Sequence, residues 1–208
     1  LGYGSGTGPS NESYNVQSQP TTLVVLNGGN INFLGVHTAN TFTLLGSATL
    51  NIAMTPGDVA GLSSSTVDGN GTLNVGLGVV WTAASTLTMQ GGTANLNAAP
   101  ATLLVNNGSQ VNIDTDLLTW ATITAQGGST LTWFAGGIVT NLTLSTSATM
   151  DKSQDARGLT ITNSTIDGDT CSINDPLNAI TWTNATSVKQ QVTSGPFLFT
   201  GTRTVKVT

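Results

Sequence analysis

The densest set of chemically competent side chains in the sequence is Asp151, Lys152, Asp155, Arg157, Asp167 and Asp169. Two carboxyl groups at a fixed separation, one protonated and one ionised, are what cleavage of a glycosidic bond requires. Asp151 and Asp167 stand 16 residues apart, so a chain that turns once in that interval would carry both to one face. A lyase would need a basic side chain and further cations to hold an anionic polymer, and the whole chain has only five Lys and Arg. Aspartate is also a turn residue, and a solvated loop cluster is the preferred reading. Asp114-Thr115-Asp116 and Asp167-Gly168-Asp169 place carboxylates on alternate positions, but calcium takes six or more oxygens and no glycine-and-aspartate nonapeptide repeat is present. His37 is the one histidine, expected in a turn before Thr41, and no Gly-x-Ser-x-Gly surrounds a serine. The expectation is therefore no catalytic residue, no metal, no cofactor and no enzyme.

Two other sets could bind. Trp81, Trp120, Trp133, Phe134 and Trp182 could form a sugar platform, although core packing is expected for Trp81, Trp120 and Trp182, with Trp133-Phe134 open to either reading. A second candidate is a face of threonines: Thr41/Thr43, Thr86/Thr88, Thr122/Thr124, Thr160/Thr162 and Thr181/Thr183. It is similar to the Thr-x-Thr ladders of solenoid antifreeze proteins, with gaps at Val24, Asp68 and Leu104. Threonine is equally a good solvent-side strand former.

What would align these threonines is a repeat. An apolar residue flanked by hydroxyl or amide residues recurs after small Gly/Asn/Ser turns. The first such residue after each turn is Ile31, Leu50, Leu73, Ala94, Val111, Leu131, Met150, Ile166 and Val188, at intervals of 19, 23, 21, 17, 20, 19, 16 and 22. A period of about 20 residues marks a stacked solenoid. Each repeat opens on a strand such as Thr41-Phe42-Thr43-Leu44 or Thr122-Ile123-Thr124-Ala125, turns at Gly46-Ser47 or Gly127-Gly128, and continues into Thr49-Leu50-Asn51 or Thr130-Leu131-Thr132. Alternation of period two places Leu and Ile on one side and Thr on the other. The spacing predicts an all-β chain, a single-stranded parallel β-helix (β-solenoid) of about nine coils. Hairpins closed at the Gly turns, giving a sandwich or barrel, are the competing architecture.

Composition agrees. Charged residues are 7% of the chain, against about 25% in ordinary domains. Residues 1–150 hold Glu12, Asp58, Asp68, Asp114 and Asp116 and no base, whereas residues 151–208 balance five acids with five bases. A base-free body argues against nucleic acid. No apolar run reaches the length of a membrane helix, so no membrane insertion is expected. Cys171 stands alone, which leaves no internal disulfide or thiolate metal cage. The chain opens on Leu1 rather than Met and is read as a processed product or fragment.

Three segments follow. Residues 1–20, rich in Gly, Ser, Asn and Pro, read as a flexible arm or linker; residues 21–194 form the β-helix; residues 195–208 cap it or begin a final coil. Thr66–Val75 (TVDGNGTLNV), Thr86–Leu96 (TLTMQGGTANL) and Thr122–Trp133 (TITAQGGSTLTW) resemble coils of bacterial surface adhesin passengers and of β-helical phage virion proteins. The segment from Phe199 to Val207 is similar to strands of phage structural proteins. The resemblance implies a non-enzymatic component of an extracellular or virion surface, such as a decoration, spike or fibre protein. It implies protein partners in a larger assembly, reached through residues 1–20, and an oligomer. An adhesin, or an ice- or carbohydrate-binding module, is the alternative, and a polysaccharide-cleaving β-helix the third reading.

Overall fold

A computed structural model describes residues 13–16, 22–25, 30–33, 36–116, 118–166, 170–177, 179–183, 185–188, 191–192 and 198–200, with side chains at 30–32 and, within those ranges, from 41 to 183. Every strand pairing among them is parallel. Hairpins closed at the Gly turns are excluded, and with them the antiparallel sandwich or barrel. The chain is a β-solenoid with two sheets.

The first sheet has ten strands among the described residues. One column of facing residues runs Tyr14, Ile31, Leu50, Leu73, Ala94, Val111, Leu131, Met150, Ile173 and Val192. Seven of the nine markers lie in this column. Ile166 and Val188 do not: they face each other in the second sheet, where Ile166 also faces Leu144. After Met150 the apolar-turn pattern appears twice per coil, and the sequence period alone followed the wrong one. Ser13–Val16, inside the segment read as an arm, is the first strand of this sheet. His37, expected in a turn, lies in the strand Val36–Leu45 and faces Ala60.

The second sheet is wider. In two coils it holds two short strands in succession, Val59–Leu62 then Ser65–Asp68 and Val79–Trp81 then Thr86–Gln90. Further along, the two segments fuse into Thr119–Ala125, Gly137–Leu144 and Leu159–Ile166.

Period-two alternation fills the interior. Leu50, Leu73, Ala94, Val111, Leu131 and Met150 from the first sheet are buried, as are Leu44, Val67, Met89, Val105, Ala125 and Leu144 from the second. Each large aliphatic side chain removed from water contributes about 1.5–3 kcal/mol. Small residues line the corner before the first sheet, where Ala48, Ser109, Ser129, Ala148 and Cys171 are buried.

The corners themselves need tight, left-handed backbone. Gly91 has φ of 128°, and a Cβ there would stand 2.4 Å from the Gly69 carbonyl oxygen in the coil before. Glycine is the one residue that meets both demands. Thr146 and Ser147 take φ of 51° and 64° without that freedom.

Candidate binding face

The threonine candidates divide into two groups. Thr43, Thr86, Thr88, Thr122 and Thr124 project outward from one face of the second sheet, in two neighbouring columns, while Thr41, on the same strand as Thr43, shares a hydrogen bond with the Ser63 hydroxyl at 2.6 Å. The first column runs Thr86, Thr102, Thr122, Asn141, Asn163. The second runs Thr43, Thr66, Thr88, Leu104, Thr124, Thr143, Thr165. Asp68 is therefore no gap in the ladder, because Thr66 fills its rung. Leu104 is a true gap, 37% exposed.

Thr160, Thr162, Thr181 and Thr183 belong elsewhere, and the single ladder of ten threonines is corrected. Thr160 faces Ile138 and Thr181, in a column that begins at Thr119. This column lies upstream in the coil, as Val59–Leu62 and Val79–Trp81 do in theirs. The cause is strand fusion: Leu159–Ile166 carries a threonine pair near its start, and Asn163/Thr165 near its end continues the first group. The Thr183 hydroxyl donates to the Ile161 and Thr162 carbonyls at 3.3 and 3.4 Å.

The outward face of the first sheet is built differently. Asn51 Nδ2 donates to Asn32 Oδ1 at 2.8 Å, and Asn74 to Asn51, Asn95 to Asn74 and Asn112 to Asn95, each at 2.7 Å. Like side chains stacked in register pair with one another, as in the amide ladders of stacked parallel strands. These asparagines stand immediately after the apolar marker, at a constant offset of one residue. That offset is visible in the sequence, but its hydrogen bonding depends on register. By contrast, Thr66, Thr86, Thr88, Thr122, Thr124 and Thr143 form no side-chain hydrogen bond among the described residues. The asparagine column of the first sheet pairs its own amides, whereas these threonine columns leave their hydroxyls to solvent or a partner. Neither set of columns carries a charge until Asp151.

The aromatic platform is not on the surface. Trp120, Trp133 and Trp182 are buried, with Trp120 and Trp133 edge to face at 5.7 Å. Trp133 of the ambiguous pair is thus core, while Phe134 is half-buried. Trp81, also half-buried, donates from Nε1 to the Ala98 carbonyl at 3.3 Å.

The charged cluster acts as a fastening between coils. Lys152 is fully buried, and its Nζ donates to the Asp155 carbonyl at 2.6 Å and carboxylate at 2.9 Å. Arg157 Nε meets the Asp155 carboxylate at 2.9 Å, and its other nitrogens reach Asp116 Oδ2 and the Phe134 carbonyl. Asp116 Oδ1 accepts from the Gly136 N–H at 2.9 Å. Desolvation raises the Asp155 carboxyl, but hydrogen bonds from Lys152 and Arg157 outweigh it and hold the group at about 2. The Gly136 N–H, opposed by desolvation and aided by Arg157, holds Asp116 below its ordinary value. A carboxylate held ionised in this way is unsuited to protonating a leaving group. Asp151 lies on the first sheet, accepting from Ser153 N at 2.9 Å and Asn174 Nδ2 at 3.2 Å. Asp167 and Asp169 lie outside the described residues, as do residues 1–12 and 201–208 of the terminal segments.

Four exposed apolar side chains sit on the early coils: Met54, Val59, Leu77 and Val80. Leu77 is 77% exposed. The chain matches no protein-family model, no curated protein and no solved structure.

Proposed function

We propose that the chain is a non-enzymatic structural element of an extracellular or virion surface, a rod-like segment of the decoration, spike or fibre kind. The observation that supports this reading is the use made of the polar side chains. The asparagines of the first sheet are spent on one another, and the charged cluster is spent on fastening loops. Both devices stiffen a stack of coils and neither offers a reacting group. Immunogold labelling of particles and envelopes from the source, with antibodies to residues 41–112, is expected to decorate outer surfaces. Label confined to soluble interior fractions overturns the reading.

A second reading has its own support. The unpaired Thr columns, more continuous in register than in sequence, suit an adhesin or a module that binds ice or neutral carbohydrate through a flat, uncharged face. Thr88→Tyr with Thr124→Tyr would roughen that face without entering the core. Freezing hysteresis, or retention on insoluble neutral polysaccharide, that is present in the wild type and lost in this variant would favour the second reading over the first.

A further inference from the structure

We propose that the rod contains a joint at Thr132, and that the Asp116–Arg157 fastening is the latch that keeps it shut. The inference stands on cross-links between coils and does not rest on the functional reading above.

In a solenoid each coil touches only its neighbours, so stability is a sum of local interfaces. Backbone pairing runs without a break from Thr93–Leu96 through Gln110–Ile113 and Thr130–Trp133 to Thr149–Asp151. Pairing in this sheet shortens only from four residues to three, at Thr149–Asp151, so most of the difference between its interfaces comes from side chains. From Asn32 to Asn112 every interface of the first sheet carries an amide–amide hydrogen bond. At the next rung Thr132 faces Asn112, and the Thr132 hydroxyl forms no hydrogen bond among the described residues. One rung further Asp151 faces Thr132, and a carboxylate has no proton to donate downward. The amide column resumes only where Asn174 donates to Asp151.

The latch spans this interruption. Asp116 follows the strand that carries Asn112, and it binds the Gly136 N–H just beyond the strand that carries Thr132. Arg157, one coil further on, holds Asp116, the Phe134 carbonyl and Asp155 together. Lys152, fully buried, anchors Asp155 from the other side. Three successive coils are tied by one guanidinium at the place where the amide ladder fails. Loss of Arg157 should remove the bonds to Asp116, the Phe134 carbonyl and Asp155 together, leaving the Asp116–Gly136 and Lys152–Asp155 contacts and a weakened network.

The test is hydrogen exchange measured by mass spectrometry on wild type, Arg157→Gln, and Arg157→Gln combined with Thr132→Asn and Asp151→Asn. The last pair of substitutions extends the amide column from Asn112 to Asn174. In Arg157→Gln, exchange should accelerate about tenfold in Thr130–Trp133, Gly137–Leu144 and Thr149–Asp151 and by less than about twofold in Thr49–Ile52 and Thr72–Val75. The extended ladder should restore most of that protection. Acceleration spread evenly along the rod, or confined to residues 152–157, overturns the proposal. If Arg157→Gln does not fold, Thr132→Asn/Asp151→Asn in the wild-type background decides. Slower exchange at Thr130–Trp133 supports the joint, and unchanged exchange contradicts it.

Discussion

Asn74 donates its amide to Asn51 Oδ1 at 2.7 Å while its own oxygen accepts from Asn95 at 2.7 Å. Asn51, Asn74 and Asn95 are each both donor and acceptor, and every amide donates toward the preceding coil. The pairing works only if the coils are parallel and in register. A slip of one residue would turn Asn74 inward and Leu73 outward.

Asn74→Ala should therefore cost about 1–3 kcal/mol, because it deletes one rung and leaves two half-buried amide partners unpaired. Denaturant unfolding of the variant against wild type measures this. Loss of less than a few tenths would mean that solvent satisfies those amides as well as the ladder does.

Gly91→Ala and Gly57→Ala separate steric from conformational cost. Both glycines have positive φ, 128° and 95°, but a Cβ at 91 would strike the Gly69 carbonyl and one at 57 meets nothing within 4 Å. The first should lose about 3 kcal/mol or more and the second about 1 kcal/mol. Equal losses in thermal unfolding would refute the close stacking of corners.

Thr146 and Ser147 occupy the corner that other coils give to Asn107-Gly108 or Gly127-Gly128. Left-handed backbone costs a non-glycine residue about 1–2 kcal/mol. Thr146→Asn with Ser147→Gly should raise the unfolding free energy by about 1 kcal/mol. The Ser147 N–H that donates to Thr170 Oγ1 is kept. A drop in the unfolding midpoint would show that the side chains replaced matter more than the backbone strain.

The fastening should also set the acid limb of stability. Asp155 is held at about 2 against an ordinary 3.8, despite desolvation, by Lys152 and Arg157. A depressed carboxylate stabilises the folded state above its unfolded value, and that contribution is lost as pH falls through the folded value. Stability should fall between pH 3.8 and about 2, and Asp155→Asn should flatten that segment of the profile. An unchanged acid limb in Asp155→Asn would place the sensitivity on other carboxylates.

The sequence carried the architecture because register here is written in composition. Leu50, Leu73, Ala94, Val111 and Leu131 recur at intervals of 17 to 23 residues and are flanked by Thr, Asn or Gln, and only parallel stacking keeps such a pattern on one face. The reading failed where two segments fuse into one strand. In Leu159–Ile166 both Thr160 and Thr165 point outward from the same sheet, and period alone does not say which of them continues Thr122/Thr124. The burial of Lys152 was equally invisible. A lysine after a strand reads as solvated, and only the loop partner at Asp155, with the Asn174 carbonyl accepting the Lys152 N–H at 2.8 Å, makes the interior position tolerable.

Dipolar distance measurements between spin labels test the stacking most directly. With Cys171 replaced by serine, cysteines at Thr49 and Thr149 are separated by five strand spacings through Thr72, Thr93, Gln110 and Thr130. The labelled sites should lie roughly 24 Å apart, and the pair at 72 and 149 roughly one strand spacing, about 4.8 Å, closer. Separations that do not shorten by that step would contradict a rod of parallel coils.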